Sequence, residues 1–74
     1  MKEYVVCCKV HGKGIWLQVL LRSSGIYKVY YDANFVGTIT PRIDPEFGVL
    51  WSTEYQNLKP YLKELADYIM EVDI

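Results

Sequence analysis

Residues 26–40, IYKVYYDANFVGTIT, decide the fold. The first half, IYKVYYD, is dense in β-branched and aromatic residues, which suit a pleated, half-buried strand. Asp32, Ala33 and Asn34 then read as a short turn, because Asp and Asn tolerate left-handed geometry and bond their own backbone. Residues 35–40 return as a second strand. Strands joined this tightly are antiparallel neighbours.

The same grammar extends in both directions. Upstream, Ser23, Ser24 and Gly25 form a turn, and residues 15–22 form the strand before it. His11-Gly12-Lys13-Gly14 supplies two glycines able to take positive φ, so a hairpin precedes that strand. Tyr4, Val6, Cys8 and Val10 alternate with Glu3, Val5, Cys7 and Lys9, which is the period-2 signature of a strand. Downstream, residues 41–46 carry two prolines that cannot donate to a ladder, and read as a loop. Residues 47–52 form a shorter edge strand.

Beyond residue 57 the period changes. Leu58, Leu62, Leu65, Ile69 and Val72 make one apolar stripe at helical spacing. Tyr61 and Tyr68 flank it on one side, Ala66 and Met70 on the other. Lys63, Glu64, Asp67 and Glu71 occupy the solvated face. Pro60 is tolerated only in a first turn, so the continuous helix starts within two or three residues of it. Of the cap candidates Asn57 and Lys59, Asn57 is the better capping residue. Residues 53–56 form a separate turn.

The expected architecture is one α+β domain over residues 1–74, in the order β-β-β-β-β-α. A four- or five-stranded antiparallel meander carries one C-terminal helix packed on one of its faces. The length of 74 residues leaves no room for a second core. Two cysteines are too few for a disulfide scaffold, and 15% aromatics argue against disorder. No apolar run approaches the ~20 residues of a membrane helix, and the N-terminus lacks the layout of a signal peptide. A small, soluble, cytoplasmic domain with no membrane partner is expected.

Candidate chemistry is sparse. Cys7 and Cys8 are adjacent on a strand, so their side chains diverge and a disulfide between them would be strained. One core thiol and one surface thiol are expected. With His11 the only histidine, no four-ligand zinc set forms without carboxylates. H-G-K-G links two strands and lacks the length and the following helix of a phosphate loop. Asp44, Glu46 and Glu54 read as turn and helix-entry acids. No catalytic residue, cofactor or metal ligand is assigned, and no enzymatic activity is expected.

Charge is divided unevenly. Residues 1–42 hold Lys2, Lys9, Lys13, Arg22, Lys28 and Arg42 against Glu3 and Asp32, whereas residues 43–74 are strongly acidic. A basic, aromatic sheet can bind single-stranded nucleic acid by stacking and phosphate contacts. Its cations are scattered, however, and no RNP-type aromatic motif is present. Nucleic acid therefore ranks second as a partner.

The strongest signal is an apolar surplus. If Ile15, Leu17, Val19, Leu21, Tyr27, Val29 and Tyr31 face the helix, then Trp16, Gln18, Leu20, Arg22, Ile26, Lys28, Tyr30 and Asp32 face away. Val5, Cys7 and Lys9 join that outer face, with Val36 and Leu50 adding to it. A half-solvated sheet should show polar alternation there. The sheet could curl to bury both sides, pack on a second copy or a partner protein, or hold an apolar ligand. The mixed character resembles an interaction surface. A homodimer or partner interface centred on Trp16, Gln18, Leu20 and Tyr30 is the leading expectation.

Overall fold

The computed structural model describes residues 2–10, 12–21 and 25–73, Val10 and Asp73 by their backbone alone. The readings of His11, of Arg22 and of the turn at Ser23 and Ser24 lie outside the described residues. Five strands follow in chain order: β1 (Lys2–Val10), β2 (Lys13–Leu21), β3 (Tyr27–Tyr31), β4 (Asn34–Asp44) and β5 (Gly48–Ser52). They lie side by side in that order, each antiparallel to the next. A 3-10 helix, Gln56–Tyr61, leads into α1 (Leu62–Asp73). The fold is the expected α+β meander with one C-terminal helix.

Alternation along the strands builds the core. Val6 and Cys8 of β1, Leu17 and Val19 of β2, Tyr27 and Val29 of β3, and Ile39 of β4 are buried against Leu58, Leu65, Ala66 and Ile69. Burying each larger aliphatic side chain contributes about 1.5–3 kcal/mol. Because α1 touches both β1 and β5, the two ends of the sheet, the sheet curls around the helix.

Several details depart from the sequence reading. β4 does not stop before Pro41 but runs on to Asp44. Residues 34–39 pair with β3, and residues 40–44 pair with β5. Pro41 sits opposite Trp51, beyond the last residue paired with β3, so its missing N–H falls at an open edge. Asp44 then closes the β4–β5 turn: its Oδ1 accepts the N–H of Glu46 at 2.8 Å and of Phe47 at 3.0 Å.

A bulge corrects the expected place of Val36. Val29 pairs with Gly37 and Tyr30 with Phe35, which leaves Val36 without a partner in the register. Val36 thus packs against the core, not on the outer face. Gly37 makes this possible. Its φ is 153°, and a Cβ there would lie 2.6 Å from Tyr55 Cγ and 2.7 Å from Leu58 Cδ1.

Asn57 is not the helix cap. Its Nδ2 donates to the Val36 carbonyl at 3.0 Å, while Thr53 Oγ1 donates to the Thr38 carbonyl at 2.7 Å. These side chains seal the part of the β4 edge that β5 leaves uncovered. α1 itself begins two residues after Pro60, within the expected window. Its buried stripe is rotated, however: Ala66 is 5% exposed and Val72 is 50% exposed. Glu64 is half-buried instead of solvated, and Tyr31 is exposed at the sheet rim instead of lying in the core.

Candidate functional site

The convex side of the curled sheet follows from register. Its outward rows run Cys7–Trp16, then Val5–Gln18–Tyr30–Phe35, then Glu3–Leu20–Lys28–Thr38. All four expected interface residues stand on this one face. Trp16 is 63% exposed and Gln18 is exposed, while Leu20 and Tyr30 are half-buried by their neighbours. Curling closes the concave side on the helix and leaves Trp16 in solvent, so a curled core containing Trp16 is excluded.

Phe35 belongs to the same surface, and the sequence reading missed it. Its ring meets Tyr30 edge-on at 5.6 Å and Tyr55 at 6.0 Å. The bulge turns Phe35 outward in place of Val36. The available signal was Gly37 inside a strand pattern, which often marks a bulge. Beside Trp16 lies a shallow hollow of about 580 Å³, lined by Gly14, Ile15, Gln18, Tyr31, Asp32 and Ala33 as well. Acids and bases are mixed on this face: Glu3 and Asp32 accompany Lys9 and Lys28, and Gln18 Nε2 donates weakly to Glu3 Oε1 at 3.4 Å. Leu50, on β5, is 36% exposed.

A smaller apolar groove of about 280 Å³ opens between β5 and the end of α1, floored by Trp51, Tyr27 and Ile69 and rimmed by Ile43, Val49 and Met70. The Tyr27 and Trp51 rings meet beneath it at 5.3 Å, tilted 55° to one another.

The thiols separate as their strand positions require. Cys8 is fully buried and Cys7 is half-buried on the convex face, and both are free. Burial pushes the Cys8 thiol up to about 11, with the nearby Glu64 charge and Cys7 adding to the shift. That thiol stays protonated at neutral pH and is a poor nucleophile. Asp44 and Glu46 share one turn, where Asp44 holds backbone amides. Among the described residues no group of three or more His, Cys, Asp and Glu side chains could hold a metal ion. No helix among them is long and apolar enough to cross a membrane.

No protein-family model, curated protein or solved structure matches this chain.

Proposed function

We propose that the protein is a non-enzymatic interaction module that forms a homodimer through its convex sheet face. The observation that carries this reading is Trp16, 63% exposed on a face that also presents Phe35 at 48% and Val5 at 47%. Aromatic rings dominate interface energetics, and a contiguous exposed apolar patch is a common mark of an association surface. Removing roughly 600 Å² of apolar surface per subunit would supply about 15 kcal/mol before the losses of association.

The arrangement of the face suits a second copy. Trp16 and Leu20 stand two residues to either side of Gln18 on β2, as Asp32 and Lys28 do about Tyr30, the residue paired with Gln18. A two-fold axis along the Gln18–Tyr30 row would set Trp16 over Leu20 of the second copy and Asp32 over its Lys28. The interface would then be isologous and charge-matched.

Single-stranded nucleic acid is the second reading, supported by the same exposed rings and by Lys9 and Lys28. Glu3 and Asp32 on that face oppose a phosphate backbone. Binding to a generic oligonucleotide that weakens steeply with salt would favour this reading over the dimer.

Sedimentation at tens of micromolar tests the dimer. The wild-type chain sediments as a dimer and Trp16→Lys as a folded monomer. A monomeric wild type defeats the reading.

A further inference from the structure

β1 is an edge strand, and α1 meets it at two places: Glu64 at the Lys9 N–H, and the Tyr68 ring edge-on to Tyr4 at 6.4 Å. Val10 and Lys13 pair across a two-residue loop, which makes them the closing hydrogen-bonded pair of the hairpin. Even-numbered residues of β1 therefore turn their N–H and C=O groups toward β2, and odd-numbered ones turn them toward the edge. Lys9 agrees with this parity: its N–H donates to Glu64 Oε2 at 2.8 Å. The outward amides of Glu3, Val5 and Cys7 find no acceptor among the described residues. The uncovered part of β4, by contrast, is sealed by Thr53 and Asn57. A long edge strand without proline or bulge is a template for another strand.

We propose that residues 3–7 of β1 pair antiparallel with the same residues of a second copy about a two-fold axis at Val5, joining the two sheets into one. In this register Glu3, Val5 and Cys7 oppose Cys7, Val5 and Glu3 of the second copy. Every outward group meets an outward group, for about six backbone hydrogen bonds. Glu64 selects the register, because any shift toward the β1–β2 loop brings Lys9 into the ladder and forces the carboxylate off its N–H. Within residues 3–7, a shift the other way forms fewer pairs. Charge complementarity supports a second copy as the occupant: Lys9 stands diagonal to Glu3 of that copy on the convex face, within reach of a long side chain. The edge pairing uses the backbone N–H and C=O groups of residues 3–7 and the face-to-face dimer uses side chains centred on Trp16, so the two are tested separately.

Register is the decisive test. Glu3→Cys places a thiol opposite Cys7 of the second copy at a Cα separation of about 5.5 Å, which a disulfide spans. Mild oxidation of Glu3→Cys yields a covalent dimer joined between the introduced thiol and Cys7, and adding Cys7→Ser abolishes it. In the unmodified chain, exchange of the Val5 and Cys7 amides slows at least about tenfold from micromolar to millimolar protein. Val5→Pro removes an outward N–H without touching the β2 ladder, and the edge-paired species is lost. Concentration-independent exchange with no Cys7-linked dimer overturns the proposal. So does self-association that survives Val5→Pro and disappears only in Trp16→Lys, a result that leaves the convex-face dimer standing.

Discussion

The Glu64 carboxylate accepts the main-chain N–H of Lys9 at 2.8 Å, tying the first turn of α1 to the last residues of β1. One side chain thus anchors the helix across the sheet, caps an edge amide and adds negative charge near Cys8.

Glu64→Ala should lower stability by about 1 kcal/mol, the usual worth of a partly exposed bond to a charged acceptor. Lys63→Ala should change it by less than about 0.5 kcal/mol, because the Lys63–Asp67 pair is solvent-exposed at 3.6 Å. Thermal melts of the two variants make the comparison. Equal shifts would remove Glu64 from this role.

Leu65→Ala should be far more damaging. Leu65 is fully buried at the centre of the core, where such truncations cost about 2–5 kcal/mol. A chain this short has a total stability of about 5 kcal/mol, so the variant should retain no more than about 3 kcal/mol and show a much lower melting midpoint by circular dichroism.

Ala33→Gly should stabilise the protein. Asp32 and Ala33 close the β3–β4 hairpin with φ of 51° and 67°, as a type I′ turn requires. Alanine in the left-handed region carries a steric penalty of roughly 1 kcal/mol that glycine does not. A midpoint in urea that fails to rise would mean the turn relaxes in solution.

The Cys8 thiol should make stability fall in alkali. It ionises near 9.0 in the unfolded chain and at about 11 when folded. As pH rises, the unfolded state loses the proton first. Stability is therefore full below about pH 9 and declines toward about pH 11, by up to roughly 3 kcal/mol. Urea melts at about pH 8 and about pH 10.5 should show this decline, and Cys8→Ala should flatten it. In the native state an alkylating reagent should modify Cys7 well before Cys8.

Strand order, the β3–β4 turn and the core face of β2 were legible in the residues, since alternation and turn chemistry act over a few neighbours. Trp16, Gln18, Leu20 and Tyr30 could be placed on one face for the same reason: parity along a strand is a local property. Phe35 was not legible, because a bulge moves every later residue by one position and only the close approach of Tyr55 and Leu58 to Gly37 calls for it.

By itself the sequence determined a curlable antiparallel meander, a Pro60-started helix and an apolar surplus on the strand positions facing away from that helix. Tertiary structure alone decided how far β4 continues, because Pro41 is acceptable only where β3 has ended and its missing N–H meets an open edge. It also decided that Asn57 joins Thr53 in sealing β4 instead of capping a helix, and that Glu64 reaches Lys9. Each of these depends on groups far apart in the chain, whose meeting is set by the curl of the sheet around α1 and not by any local preference.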